Sequence, residues 1–327
     1  MHTKKALGSS GVDIIDLGTH KALDRQEIAV GLRRKPRRIH PKYFYDTRGS
    51  QLFEEITRQP EYYPTTTEVK IYKEQADVIA KVCGVGSVVV EPGSGNSEKI
   101  RYLLDAIRPS QYVPIDIAGD FLSAAAEELS QEYSWLDVLA INADFYQLKA
   151  LPDSICSAPK LIFYPGSTIG NMTPDEALGF LQQMRGWLTP KDRGLLVGID
   201  LHKDQSVLEP AYNDNKGITA AFNKNILDNV NSIAGTDFDQ KQFEHRALYN
   251  VDSQRIEMYL EAKNSQRVNL SDEVLQIDKG ESILTEYSYK YTLEDIKELA
   301  GSAGFNLVET WLDQEGLFSV SFLELAK

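Results

Sequence analysis

Three segments of this sequence finish in residue types that can hold a nucleotide-like ligand. The run VVVEPGSGNSEKI, residues 88–100, passes from β-branched residues through Gly93 and Gly95 into helix-forming ones. Two glycines so placed let a ligand approach the backbone closely. The third glycine of GxGxxG is missing, which weakens a phosphate cradle, and a tight βα turn without ligand is the plainer alternative. Asp116 ends the next β-like run, YVPID, where a carboxylate can accept from both hydroxyls of a ribose. Asp144 ends a third, VLAINAD, where it can accept from an adenine amino group, and Phe145 beside it can stack on the ring. Either aspartate alone is as readily a helix N-cap. Glycines and two acids on three successive strand ends form a joint pattern. With no extra basic residue for a 2′-phosphate, that pattern suits S-adenosylmethionine better than a dinucleotide.

These residues need strands to carry them. The pattern from about Thr65 onward alternates helix and strand, with capping boxes expected at Thr65–Glu68, Thr173–Glu176 and Thr292–Asp295. The runs 87–91, YVPID, VLAINAD, KLIFY and GLLVGIDL read as strands, so the expectation is a parallel sheet covered on both faces. At the end of the chain, FNLVETWLD and LFSVSFLEL are separated only by QEG and must pair as an antiparallel hairpin. The fold class is therefore α/β, a Rossmann-like sheet closed by a C-terminal antiparallel hairpin, as in class I methyltransferases. Residues 201–289 interrupt it with helical material (213–233) and then strands, a block too long for a loop. In RIEMYLEA, Ile256, Met258 and Leu260 share a face; in TEYSYKY, Glu286, Ser288 and Lys290 lie opposite three tyrosines. The expected division is a cofactor domain of 66–200 and 290–327 and a second, α+β, substrate-binding domain of 11–65 and 201–289.

The 327 residues carry 35 Lys and Arg against 48 Asp and Glu, a formal net charge of −13. That balance argues against a nucleic-acid partner. One basic cluster, Arg33 to Lys42, reads as a solvated loop balancing the acidic remainder. Two cysteines, Cys83 and Cys156, make no disulfide framework, and the histidines 2, 20, 40, 202 and 245 lack metal-ligand spacing. No apolar run approaches the ~20 residues of a membrane span. The expectation is a cytoplasmic protein without membrane contact, and, with no heptad pattern or long apolar surface helix, a monomer.

Longer stretches resemble the histidine Nα-methyltransferase family of ergothioneine biosynthesis: YFYDTRGSQLFEEITRQPEYYPTTTE, EPGSGNSEKIRYLLDA, YVPIDI, NADF, YPGSTIGNM and TEYSYKYT. The likeness runs over essentially the whole chain, and the first stretch and GSTIGN are specific to that family. It implies S-adenosylmethionine-dependent trimethylation of the α-amine of L-histidine to hercynine, in a pocket at the domain boundary. Position by position, the resemblance gives Asn171 the substrate's α-amine, Tyr45 and Tyr212 its carboxylate and amine end, and Tyr62 the pocket near amine and imidazole. It gives Glu286 and Ser288 the imidazole ring, Met258 the apolar wall, and Lys99 the methionine carboxylate of the cofactor. Tyr45 and Asn171 would be the catalytic pair. Two departures touch the cofactor loop: Pro92 where leucine is usual, and Asn96 where threonine is common.

Bland alternatives stand beside each role. The 286–290 face is ordinarily solvated, Tyr62 and Tyr63 are ordinary packing aromatics, and Asn171 is an ordinary turn residue. Three other functions compete: methylation of another amino acid such as a tryptophan derivative, a non-catalytic S-adenosylmethionine-binding regulatory module, and a nicotinamide oxidoreductase. Glu286 disfavours an indole, the full substrate set disfavours a mere binding module, and the missing glycine and C-terminal hairpin disfavour the dehydrogenase.

Overall fold

The computed structural model describes residues 4–7, 12–18, 21–270 and 273–327; His2 and His20 lie outside them. The chain divides into two compact units. The first comprises the described residues up to Gly18 with Pro64–His202 and Tyr291–Lys327; the second comprises residues 21–63 with the described residues of Lys203–Lys290.

The first unit is built on a nine-stranded sheet. Its order is Lys4–Leu7, Asp13–Gly18, Leu139–Ala143, Gln111–Asp116, Val88–Pro92, Lys160–Tyr164, Gly194–Asp200, Phe318–Leu325 and Phe305–Leu312. Neighbours from Asp13–Gly18 through Gly194–Asp200 are parallel, and those at the two ends are antiparallel. Strands covered on both faces read as unbroken apolar runs, and Val88, Val89, Val90 and Leu161 to Tyr164 are fully buried. The expected class I arrangement with its C-terminal hairpin is present, with two strands added at one edge. Because Asp13–Gly18 pairs with Leu139–Ala143, residues 12–18 belong here and not with 21–63, where the sequence reading had put them. Val12 and Ile15, buried at that edge, are the physical reason. Pro92 sits where the ladder to Lys160–Tyr164 has already ended at Val90, so its missing N–H leaves that ladder intact.

Local signals set the helix starts. Thr173 and Thr292 form the expected capping boxes with Glu176 and Asp295. Thr65–Glu68 does not: the helix Tyr63–Cys83 starts earlier, with Pro64 in its first turn, and Glu68 turns inward and is completely buried. Among the described residues no helix is long and apolar enough to cross a membrane.

In the second unit the four-stranded sheet runs Arg37–Arg38, Ser282–Tyr289, Arg255–Ala262, Phe243–Asn250, beside a two-stranded pair, Gln266–Leu270 with Glu273–Ile277. The helical material expected over 213–233 is the helix Ile218–Ala234, and a further helix, Gln205–Ala211, precedes it across a turn in which Gly217 takes φ +72°. Phe222, Ile226, Leu227 and Val230 of the longer helix share one core with Phe243, Ile256, Met258 and Leu260 of the sheet. The basic cluster is a solvated loop only in part: residues 33–36 are exposed, whereas Arg37 and the Lys42 side chain are buried. Arg37 is buried on Glu281 at 2.6 Å, Arg33 meets Glu273 at 2.5 Å, and Lys42 lies 3.1 Å from Asp24 and 2.8 Å from Glu27. Arg33 and Arg37 thus reach from the N-terminal segment to the sheet region, while Lys42 pairs within that segment.

Candidate active site

In the first unit, the turn after Val88–Pro92 is shaped by its glycines. Gly93 and Gly95 take φ of +71° and +54°, a region that costs a side-chain-bearing residue on the order of 1–2 kcal/mol. A Cβ on Gly93 would stand 3.3 Å from the Phe145 ring, so the glycine and the aromatic are in close register. Asp116 ends its strand half-buried, with Oδ2 accepting from the Gly95 N–H at 3.0 Å and Oδ1 from Ala118 N–H at 2.9 Å. Burial raises its carboxyl above the ordinary range while those N–H groups pull it back. Asp144 accepts from the Tyr146 N–H at 3.0 Å and from Gln147 Nε2 at 2.8 Å. Both acids thus serve turns as well.

Lys99 and the loop that leads to Asn171 are connected through a residue the sequence reading took for a cap. The Lys99 ammonium lies 2.6 Å from Glu68 Oε2, and the Gly166 N–H donates to both Glu68 oxygens at 2.9 and 3.1 Å. Tyr72 OH donates to Oε1 at 2.8 Å. Glu68 therefore ties the first turn after the glycines to the loop leading into the 3-10 turn Thr168–Asn171. Gly198 makes room for it, since a Cβ there would stand 2.0 Å from Oε1. On the strand Val88–Pro92, Glu91 is buried with the Tyr112 hydroxyl 2.6 Å away, and desolvation pushes its carboxyl up to about 8.

In the second unit, Tyr45 falls between a 3-10 turn, Pro41–Phe44, and Asp46, which caps Thr47–Thr57 through the Gly49 N–H at 2.6 Å. Only glycine fits at 49, because a Cβ would lie 1.7 Å from the Phe44 carbonyl oxygen. Asn225 holds Asp46 Oδ1 at 2.8 Å, fixing the turn to the Ile218–Ala234 helix. The Tyr45 ring then meets Phe53 and Phe222 edge-on at 5.9 Å, Phe53 meets Tyr62 at 6.3 Å, and Tyr62 meets Tyr212 at 6.2 Å. The three tyrosines expected at the site are parts of one aromatic wall. Phe53 and Phe222, which complete it, carried no sequence signal, being separated from one another along the chain.

The wall ends at a polar group on the strand Ser282–Tyr289. Met258 stands opposite Glu286 and Tyr259 opposite Leu284, so Thr285 is the extra residue of a β-bulge. The bulge changes the phase of the alternation, so that Glu286 and Ile283 share the face of Met258 and Leu260. Glu286, Ser288 and Lys290 are consequently buried, contrary to the ordinary solvated face. Tyr212 OH lies 2.8 Å from Ser288 Oγ, and Lys290 Nζ donates to Tyr212 OH at 3.0 Å and to Ser288 Oγ at 2.9 Å. Burial pushes the Glu286 carboxyl up to about 8, with the charge of Lys290 pulling the other way. Lys290, seen in the sequence only as part of an alternating face, belongs to the group.

The residues of the glycine turn fit S-adenosylmethionine on their own chemistry. Ser94 Oγ, between two glycines of positive φ, is buried with no hydrogen-bond partner among the described residues. Such an orphaned hydroxyl flanked by open backbone suits a polar ligand edge.

Comparison with known proteins gives the same cofactor. Residues 24–325 match the family described as histidine-specific methyltransferase, SAM-dependent. A histidine N-alpha-methyltransferase from Mycobacterium tuberculosis is 40% identical over 309 residues, covering 92% of this chain and 94% of the relative. Ergothioneine biosynthesis protein 1 of Schizosaccharomyces pombe is 31% identical over 280 residues, 82% of this chain and 36% of that protein. A 4-dimethylallyltryptophan N-methyltransferase of Arthroderma benhamiae is 26% identical over 318 residues, 92% of each chain. With a match running from residue 24 to residue 325, this chain belongs to the histidine-specific, S-adenosylmethionine-dependent methyltransferases.

Proposed function

We propose that the protein methylates the α-amine of L-histidine three times in succession, giving hercynine for an ergothioneine-type pathway. The observation that carries this reading is the buried Glu286 with Ser288 on one strand face, at the end of an aromatic wall. A carboxylate and a hydroxyl so placed can each take one nitrogen of an imidazole ring, and a site built on hydrogen bonds rejects ligands that leave its groups unpaired. Met258 supplies the apolar wall beside Glu286.

Bound S-adenosylmethionine supplies a methyl group made electrophilic by its sulfonium. Gly93 and Gly95 leave its approach open, Asp116 accepts from the ribose hydroxyls, Asp144 from the adenine amine, and Phe145 covers the ring. Lys99, steadied by Glu68, offers its remaining ammonium hydrogens to the methionine carboxylate. Asn171 orients the substrate amine, and Tyr45 and Tyr212 meet its carboxylate and amine end. Holding amine and methyl donor at near-attack distance accounts for up to ~7–11 kcal/mol of the barrier in favourable cases. The amine must be neutral before each transfer; an α-amino group titrates near 8 in peptides, so modest assistance from Tyr45 or Tyr62 is enough. As methyls accumulate, the aromatic faces stabilise the forming quaternary ammonium, each by roughly 0.5–2 kcal/mol. We read the enzyme as a cytoplasmic monomer with a small-molecule substrate, in keeping with its composition.

The test is an end-point mass-spectrometric assay with S-adenosylmethionine and the twenty amino acids together. Histidine heavier by three methylene units supports the reading in full. Methylation of another amino acid retains the chemistry and removes the roles of Glu286 and Ser288. Cofactor binding with no methylated product turns the protein into a binding module.

A further inference from the structure

Lys290 is 3% exposed, lies 5.0 Å from the centroid of the Tyr212 ring, and donates to both hydroxyls of the Tyr212–Ser288 pair. An ammonium donates and never accepts. One lone pair of each hydroxyl oxygen is therefore committed to Lys290. With Tyr212 donating across the 2.8 Å contact, the second lone pair of Ser288 Oγ is taken as well, and the Ser288 hydrogen is the one left to point outward. A second cation brought against Ser288 Oγ would meet that charge in a buried, weakly screened setting. We propose that Lys290 is a positioning residue that fixes Ser288 as a hydrogen-bond donor and thereby restricts the site to the neutral imidazole of histidine, excluding imidazolium. This rests on the reading that Glu286 and Ser288 face the ring.

The groups packed around the triad leave Glu286 as the one that responds. Met258 and Ile256 on the adjacent strand are apolar. From the strand beyond, burial holds Tyr249 above the usual phenol range and His245 below the usual imidazole range, the latter influenced by Lys224 and Asp214. His245 is also held by Asn223 Nδ2 at 2.8 Å and the Tyr212 carbonyl at 2.9 Å. Tyr62 faces Tyr212 through its ring. Glu286, pushed up to about 8, holds a proton in the free protein below that pH and must shed it to accept from a neutral ring. Without Lys290, Ser288 is free to accept, and imidazolium can enter carrying the proton that Glu286 would otherwise have to lose.

The experiment is calorimetric titration of L-histidine into the full chain saturated with S-adenosylhomocysteine, between about pH 6.5 and 8, for wild type and Lys290→Met. Ionisation of the substrate's α-amine is common to both and cancels in the ratio of affinities. The expected result is that the ratio changes by about tenfold per pH unit, the variant gaining on the wild type as pH falls. A merely structural role lowers affinity by a constant factor, so a ratio that does not move with pH overturns the inference while leaving the histidine reading intact. Wild type that binds no histidine at any pH removes both. Lys290→Gln, uncharged and able to accept as well as donate, carries the same expectation should the apolar replacement fail to fold.

Discussion

Replacing Glu286 with glutamine keeps shape and volume and removes only the ability to ionise. At 7% exposure, Glu286 has little solvent to substitute for a lost partner. A hydrogen bond from a ligand N–H to a carboxylate contributes ~1.5–3 kcal/mol net, and every 1.4 kcal/mol is about tenfold in affinity. The glutamine amide can still present its carbonyl to the ring, so the lower part of that range applies to Glu286→Gln and the upper part to Glu286→Ala. The histidine KM should rise about 10-fold in the first variant and about 100-fold in the second. Because the carboxyl is pushed up to about 8, its ionised form is scarce at pH 6 and abundant above 8. The penalty for Glu286→Gln should accordingly widen over that interval and then level off. Initial rates at varied histidine with saturating S-adenosylmethionine give the KM values, and equilibrium titration of the cofactor gives the control. The reasoning is refuted if both substitutions leave the histidine KM within about threefold of wild type, or weaken cofactor binding as much as substrate binding.

Asn171→Ala should abolish turnover with S-adenosylmethionine binding retained; loss of cofactor binding in the folded variant would take the amine-orienting role from this residue. Gly93→Ala forces a side chain to φ +71° and against the Phe145 ring at 3.3 Å, so the cofactor Kd should rise by roughly tenfold or more, while histidine-site fluorescence changes stay unaltered. Glu91→Gln addresses stability. Its carboxyl is pushed up to about 8 by desolvation, so the folded chain holds that proton more tightly than the unfolded chain. The stability it permits is full below about pH 4.5, declines at about 1.4 kcal/mol per pH unit at most as pH rises toward 8, and is level above that. Urea unfolding at pH 5.5 and 8.5 should show the variant gaining on the wild type at the higher pH, and an equal difference at both would contradict the assignment.

What the sequence made legible was local. Capping boxes at Thr173 and Thr292 and the terminal hairpin depend on residues a few positions apart, and the structure has them where the spacing put them. Features set by distant partners were not legible. Glu68 satisfies a capping pattern, but its carboxylate goes to Lys99 and Gly166, the latter 98 positions away. Asp13–Gly18 looks like a short polar-interrupted run and becomes a strand only because Leu139–Ala143 offers an edge. Alternation showed that Glu286, Ser288 and Lys290 share a face without showing that the face is buried. That outcome depends on a one-residue bulge at Thr285, held by its hydroxyl to Asn223 Oδ1 at 2.7 Å and the Met258 carbonyl at 3.0 Å. Phe53 and Phe222 join the tyrosines only after Asp46 is clasped by Asn225.

On the proposed reading, the buried carboxyl would also separate histidine from the indole substrate named by one relative. Keeping Glu286 from water disfavours its charged form, as its rise to about 8 records, and an apolar residue there would leave the fold no worse off. The group is useful only to a ligand with an N–H to donate. Two residues along, Ser288 lies under a donating ammonium and demands an acceptor in return. An indole offers one N–H and no ring acceptor, so it would satisfy Glu286 and strand Ser288, or satisfy neither. An unpaired buried polar group costs ~1–3 kcal/mol, which is about 5- to 150-fold in affinity. Neutral imidazole, with one donor and one acceptor nitrogen, meets both demands at once. On the proposed roles, discrimination between the two amino acids would reside in the pairing of opposite hydrogen-bond polarities on one strand, and in the lysine that keeps them opposite.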